Sequence, residues 1–275
     1  MNLKVYKYQG AGNDFIIIDN RKGIAKVEDG VLVSTDFSIP VERVCDRRYG
    51  IGADGLMLLE VSQIADFRMV YFNSDGSGGM MCGNGGRCMV AFANDCGIDR
   101  FDFEAADGLH SAEILSDNGN EKIVRLKMKD VGSVTEYEDG YFLDTGTRHF
   151  VTFVDNVASI SVPVVGRELR YDSRFAPVGA NVNFVARRGN VLDVRTYEKG
   201  VEDETYACGT GIVASSIAAY VRSGVGANSV RVRFEVNALR DNLSVDFQPG
   251  RPGSSFVAQD VWLTGPAVKV AEILI

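Results

Sequence analysis

Two tetrapeptides carry residue types that can do chemistry: CGNG at Cys82 to Gly85 and CGTG at Cys208 to Gly211, about 126 residues apart. Each opens a run, GRCMVAFAN or GIVASSIAAYV, that is apolar or small on nearly every face, the pattern of a helix surrounded by protein. The first N–H groups of a helix lack intrahelical partners, and glycines leave them uncovered. Such an end closes around an anion, with the helix dipole favouring negative charge, so a substrate carboxylate fits it. A cysteine at the same end has its thiolate stabilised and its pKa drawn towards neutrality. If the two halves pack about a pseudo-twofold axis with both helix starts converging on one cleft, one thiolate can take a proton from a carbon while the other thiol gives one from the opposite face. The stereocentre is inverted without metal or cofactor, and the N–H groups steady the carbanion's carboxylate. Gly83, Gly85 and Gly86 would line one anion cradle, Gly209 and Gly211 the other.

The elements that must position these turns are mostly strands. Short runs such as LKVYKY, NDFIIID, GLMLLEV, DFRMVYF, HFVTFV, NVNFV, VLDVRTYE and SVRVRFEV, separated by Gly, Asn and Asp, predict a largely antiparallel, strand-rich chain. Helices are predicted at Pro40 to Arg48, Gly85 to Asn94, Gly166 to Ser173 and Gly211 to Arg222. Besides the Cys-Gly turns, GAD at Gly52 recurs as GAN at Gly179, VYFN ending in Asn73 matches RTYE ending in Glu198, and GNDFIIIDN resembles GTRHFVTFVDN. Four matches in one order predict a duplicated domain with its boundary near Asp130 to Val134.

Composition bounds the rest. The 275 residues are 45% hydrophobic and 24% charged, with 30 glycines and 6 prolines, which excludes collagen, a disordered tail and a disulfide miniprotein. A net charge of −8 repels phosphate backbones and anionic membranes, so neither nucleic acid nor membrane is an expected partner. The start has no apolar signal region and no run approaches a bilayer span, so a cytoplasmic location is expected. Five cysteines form an odd set, read as thiols, with Cys45, Cys88 and Cys96 packing as small hydrophobes.

Competing patterns are weaker. GIGADG at Gly50 to Gly55 matches G-x-G-x-x-G but is followed by a strand where a dinucleotide site needs a helix. GTGIVA at Gly209 opens a helix, with Glu235 beyond it, yet KGVEDETYA stands where a tight turn is required. Cys82, Cys88 and Cys96 lack the spacing of zinc ligands, and no metal is expected. Of the two histidines, His149 gains weight from lying in the repeated segment, and His110 does not.

YQGAGNDFIIID, DRRYGIGADGL, FNSDGSGGMMCGNGGRC, GTRHFV, ANVNFV, RTYEKGVEDETYACGTG and VWLTGPA together resemble the diaminopimelate epimerases, which work without pyridoxal phosphate, over nearly the whole chain. The resemblance implies an α/β (α+β) fold of two similar domains, each a curved, mostly antiparallel sheet wrapped around a central buried helix. It places residues 1–131 in the first, joined by a returning strand at 266–275, and residues 132–265 in the second. The implied reaction interconverts LL- and meso-2,6-diaminopimelate, supplying lysine and peptidoglycan precursors, with no cofactor. Cys82 and Cys208 resemble the acid-base pair; Gly83 with Asn84, and Gly209 with Thr210, resemble the carboxylate cradle. Asn13, Asn73, Thr147, Asn181, Glu198 and Lys199 fall where the family contacts substrate, chiefly at its distal end. Amides, a carboxylate and a cation suit an ammonium beside a carboxylate. His149 and Glu198 resemble the pair that tunes the cysteines.

Three positions depart from the family pattern. Gly-Asn-Pro-His is here GTRH, so Thr147 replaces an amide and Arg148 a proline; Glu-Arg-Gly is here EKG; and Gly55 stands where some members carry glutamine. Lys199 lacks arginine's bidentate grip, so these changes bear on distal recognition and selectivity. The expected partner is a small molecule, with a homodimer left open. The other readings are a racemase of another amino acid such as proline, in the same broad fold family, and a redox protein using Cys82 and Cys208 as a disulfide switch.

Overall fold

A computed structural model describes residues 3–224, 231–250 and 255–275. Met1 and Asn2, at the start of the segment read as lacking a signal, and Ser229 and Val230, the first residues of the predicted SVRVRFEV strand, lie outside them. The chain divides into two units, residues 1–126 with 265–275, and residues 127–264.

The first unit contains β1 (Lys4–Gly10), β2 (Asn13–Asp19), β3 (Ala25–Glu28), β4 (Val31–Ser34), β5 (Ser38–Pro40), α1 (Val41–Cys45), β6 (Gly55–Glu60), β7 (Phe67–Asn73), α2 (Gly83–Asp95), β8 (Asp102–Ala105) and β9 (Gly108–Asp117), and β10 (Glu121–Lys127) ends at its border. Its strands run in the order β1-β2-β6-β7-β8-β9-β10. The end of the last strand of the chain pairs antiparallel with β1, from Gln9↔Val268 to Lys4↔Leu274, and Lys269 donates to the carbonyl of Asn120 just before β10. The path therefore returns on itself, with α2 against β1, β2, β6 and β9.

NDFIIID shows why the apolar runs are continuous rather than alternating. A strand covered on both faces needs apolar side chains at every position. Ile16 and Ile18 of β2 join Leu56, Leu58, Val41 and Val44 in a core beneath α1 and the small β3-β4-β5 sheet. Phe15 points the other way, towards Gly85 of α2. Helix α2 is buried from Gly83 through Ala93. Truncating a fully buried side chain such as Phe15 costs about 3–5 kcal/mol, so this two-sided burial is a main support of the helix.

The second unit contains β11 (Val134–Tyr137), β12 (Gly140–Asp144), β13 (Arg148–Phe153), α3 (Val162–Arg170), β14 (Asn181–Arg188), β15 (Val191–Glu198), β16 (Asp203–Thr205), α4 (Gly209–Arg222), β17 (Val232–Asn237), β18 (Asn242–Pro249) and the start of β19 (Ala258–Leu274), whose residues from Gly265 onward belong to the first unit. The order is β11-β12-β13-β14-β15-β17-β18-β19, and α4 packs on β12, β13, β14, β15 and β18. The sequence of pairings repeats that of the first unit. β1–β2 and β12–β13 are antiparallel, β2–β6 and β13–β14 parallel, β6–β7 and β14–β15 antiparallel, β7–β8 and β15–β17 parallel. The sheet is thus mostly antiparallel, as expected, but each buried helix is flanked by parallel pairs.

Helix limits shift for identifiable reasons. Both central helices begin two residues earlier than predicted, because the cysteines are their N-caps. The first helix stops at Cys45 rather than Arg48, since the Asp46 carboxylate accepts from the Arg48 and Tyr49 N–H groups at 2.7 and 2.6 Å and turns the chain. Helix α3 spans 162–170 rather than 166–173, with Pro163 in its first turn, where a missing N–H costs nothing.

Candidate active site

Cys82 caps α2 with extended backbone, and its sulfur accepts from the Gly85 N–H at 3.3 Å. A sulfur in that position takes one of the donors the helix leaves over, and the bond strengthens when the sulfur is charged. Two residues after Cys82, the Asn84 side-chain N–H₂ donates to Asn13 Oδ1 at 2.7 Å, and Asn13 donates to Asp54 Oδ2 at 2.9 Å. The start of β2 and the first turn of α2 are thereby joined. Behind them, Asp14 pairs with Lys7 at 2.9 Å and Arg47 at 2.7 Å; burial raises its carboxyl, but these two cations outweigh burial and hold it at about 2. Asn73 lies apart at the end of β7, donating to Ser77 Oγ at 3.0 Å.

Arg87 is fully buried under the same turn, a residue the sequence reading left inside its apolar helix. Its guanidinium donates to Gly83 O at 3.2 Å and Asn84 Oδ1 at 2.9 Å. A fixed cation one turn from Cys82 adds to the helix dipole in favouring an anion there. The one sequence signal for it was a lone arginine in a segment otherwise without charge. Tyr71 is a second omission: burial raises its phenol pKa and the Cys82 charge raises it further.

In the second unit, Cys208 caps α4, and its Sγ lies 3.4 Å from Thr210 Oγ1. Thr210 Oγ1 is 3.0 Å from His149 Nε2, which is 2.9 Å from Thr147 Oγ1. Asn181 donates to Thr147 Oγ1 at 3.1 Å and accepts from the Lys199 backbone N–H at 2.8 Å. Thr147, His149, Asn181, Lys199, Cys208, Gly209 and Thr210 thus form one connected group. Thr147 sits inside the histidine cluster. Lys199 Nζ makes no hydrogen bond or ion pair among the described residues. Glu198 accepts from Thr205 Oγ1 at 2.9 Å, and burial raises its pKa.

His149 is fully buried, and burial drives its pKa down to about 3 against the pull of Asp144, so the ring is neutral. Asn183, which the sequence reading passed over as a strand residue, touches the ring's other nitrogen at 3.1 Å. It also explains Gly211, expected in the anion cradle. A Cβ at 211 would lie 2.3 Å from Asn183 Oδ1, so this glycine makes room for a side chain.

Among the described residues, none of the other thiols caps the N-terminus of a helix. Cys45 and Cys88 are buried, and burial raises Cys45 to about 11 and Cys88 further. Cys96, expected in the core, is only half-buried beyond the end of α2, because its backbone N–H closes the helix on Phe92 O at 3.0 Å. His110 stacks on Phe103 and contacts Asp107, a structural role. Among the described residues no group of His, Cys, Asp and Glu could hold a metal ion, and no helix is long and apolar enough to cross a membrane.

Solved structures with this fold include a Bacillus anthracis phenazine biosynthesis protein of the PhzF family (13% identity, TM-score 0.69, 100% of this chain and 99% of that one) and a probable proline racemase from Agrobacterium radiobacter K84 (15%, TM-score 0.66, 99% and 92%). Sequence relatives are much nearer. The diaminopimelate epimerase of Flavobacterium psychrophilum is 42% identical, covering 99% of this chain and 100% of its own, and that of Aquifex aeolicus is 38% identical over 98% and 96%. The family model described as diaminopimelate epimerase matches residues 5–133 and 141–251, a range that takes in both cysteine-capped helices and every side chain just described. On fold, on full-length identity and on the family match, the chain belongs to the diaminopimelate epimerase family.

Proposed function

We propose that this protein interconverts LL- and meso-2,6-diaminopimelate, with Cys82 and Cys208 as a two-thiol acid-base pair. The observation that carries the reading is that both cysteines cap the buried glycine-started helices α2 and α4, and that in α2 a backbone N–H already addresses the sulfur. In one direction the thiolate of one cysteine takes the α-proton and the thiol of the other returns a proton to the opposite face, so the proton count closes between them. The amides at Gly83 and Asn84, and at Gly209 and Thr210, hold the carboxylate of the reacting centre and take up the charge that develops on it. Asn13, Asn73, Thr147, Asn181, Glu198 and the Lys199 ammonium read the distal amino-acid end, while His149 and Glu198 tune the thiols.

The test is hydrogen exchange. Incubated with LL-diaminopimelate in deuterium oxide and no added cofactor, the purified protein is expected to place deuterium at the inverted α-carbon and to form the meso isomer. Cys82→Ala and Cys208→Ala are each expected to abolish epimerisation; full turnover by either removes the mechanism, and turnover of proline with none of diaminopimelate reassigns the substrate. The reading carries a cytoplasmic, small-molecule enzyme in a lysine and peptidoglycan precursor route, and a homodimer that sedimentation would reveal.

A further inference from the structure

The Asn183 side chain settles the protonation state of His149 by elimination. Its Nδ2 lies 3.2 Å from the carbonyl oxygen of Phe150, which can only accept, so the amide is oriented with its N–H₂ group on that side. The same N–H₂ group is 3.1 Å from His149 Nδ1. A donor facing that nitrogen requires it to be unprotonated. On the other side, Asn183 Oδ1 accepts from Thr196 Oγ1 at 3.0 Å, a hydroxyl that can donate or accept, so the Phe150 carbonyl is what fixes the orientation. Asn183 is fully buried, and Gly211 supplies the space it occupies.

The neutral ring then carries its single hydrogen on Nε2, which faces Thr210 Oγ1 at 3.0 Å and Thr147 Oγ1 at 2.9 Å. Asn181 Nδ2 also lies 3.5 Å from Nε2, but its two hydrogens go to Thr147 Oγ1 at 3.1 Å and Arg148 O at 3.3 Å, so it is not a donor to the ring. When Thr210 Oγ1 accepts from the ring, its own hydrogen is left to donate; Thr147 Oγ1 at 3.3 Å and Cys208 Sγ at 3.4 Å are both in reach, and a charged sulfur is the stronger acceptor. Asp144, at the end of β12, is the charged group whose field reaches the ring; it favours protonation, and burial overrides it.

We propose that Asn183 is a positioning residue that locks His149 as the Nε2–H tautomer and thereby turns the Thr210 hydroxyl onto the Cys208 sulfur. His149 then supports the Cys208 thiolate as a relayed donor and does not take its proton, since the nitrogen on that side has no lone pair to offer. No proton has to pass through the ring, because the two thiols balance the reaction between them. The catalytic meaning rests on the acid-base role proposed for Cys208, whereas the tautomer stands on its own.

With only two histidines in the chain, [15N]histidine labelling of the full-length protein resolves the point directly. The His149 signals are identified by their loss in His149→Gln. The expected spectrum shows an unprotonated Nδ1 and a protonated Nε2, unchanged from about pH 6 to about pH 9. A proton on Nδ1, or an imidazolium in that range, overturns the proposal. Asn183→Leu is expected to release the lock and give mixed tautomers; a spectrum still locked on Nε2–H would assign the tautomer to another cause and overturn Asn183's role. Thr210→Val keeps the shape and removes the hydroxyl: kcat is expected to fall about tenfold or more with a smaller change in KM, and Thr210→Ser to recover most of the loss. Wild-type kcat in Thr210→Val overturns the relay. Full turnover by Cys208→Ala would instead remove the acid-base reading, leaving the spectrum to decide the tautomer.

Discussion

The backbone N–H of Gly85 addresses the sulfur of Cys82 across 3.3 Å, and a methyl group at position 85 would stand 3.2 Å from the same sulfur. Cys208 is held differently, by the hydroxyl of Thr210. At the first helix start a main-chain N–H and a buried guanidinium favour the thiolate, and at the second the Thr210 hydroxyl stands beside the sulfur.

Gly85→Ala separates catalysis from stability. Alanine is the better helix former by about 1 kcal/mol, which offsets part of the crowding against Cys82, Met69 and Phe15. We expect the melting temperature to change little while kcat falls about tenfold, the loss of one well-placed hydrogen bond to a charged sulfur. Parallel melting and turnover measurements check it; unchanged kcat would show that the added methyl group does not displace the sulfur from the N–H.

Arg87→Met tests the buried guanidinium. Losing charged hydrogen bonds to Gly83 O and Asn84 Oδ1 is expected to cost roughly 2–4 kcal/mol in urea unfolding. Alkylation of the exposed Cys82, followed by peptide mass mapping near neutral pH, should slow as the thiolate loses its nearby cation. Arg87→Lys should not restore both bonds, because an ammonium lacks the planar fork.

Gly211→Ala should fail for a reason unlike that of Gly85→Ala. Its Cβ meets Asn183 Oδ1 at 2.3 Å, a backbone-fixed collision with a buried amide. Overpacking of this kind costs about 1–3 kcal/mol, read as a lower urea midpoint with an unchanged denaturant slope.

His149 gives the fold an acid sensitivity of known sign. Its pKa falls from 6.5 to about 3 on folding, so the unfolded chain binds the extra proton between those values. Stability is full above about pH 6.5 and is lost as pH falls, by about 1.4 kcal/mol per unit, or about 2 kcal/mol between pH 7 and pH 5. Asp14, lowered from 3.8 to about 2, acts only at more acid pH, and Glu198, whose pKa is raised, works in the opposite direction. Urea midpoints across this range should slope in the wild type and flatten in His149→Gln; equal slopes would contradict the assignment.

Much of this was legible in the residues. Cys-Gly-x-Gly before a run of mostly apolar and small residues marks a helix start with a thiol placed on it, because only glycine leaves the turn open. The strands were legible as elements, but which neighbours run parallel was not, since β2 and β6 show the same apolar run either orientation would need. Arg87 and Asn183 were hidden for a shared reason. Each is a polar residue whose partners, Gly83 O and Asn84 for one and Phe150 O and His149 for the other, are supplied by the folded backbone or by chain far away in sequence. The GTRH motif sets Thr147 two residues from His149, whereas its bond from Asn181 comes only from the β13–β14 pairing.

β19 has a consequence for how the protein is made. The partner of β1 is formed by residues 268–274, so the first unit's opening strand emerges from the ribosome long before the segment that pairs with it. Until residues 268–274 are made, β1 presents a bare main-chain edge, the kind that other chains can join. A chain stopped before Gly265 should never lose that edge, and light scattering is expected to report its aggregation; a monodisperse, fully folded truncation would contradict this. Residues 268–274 thus act as a late-made latch on β1.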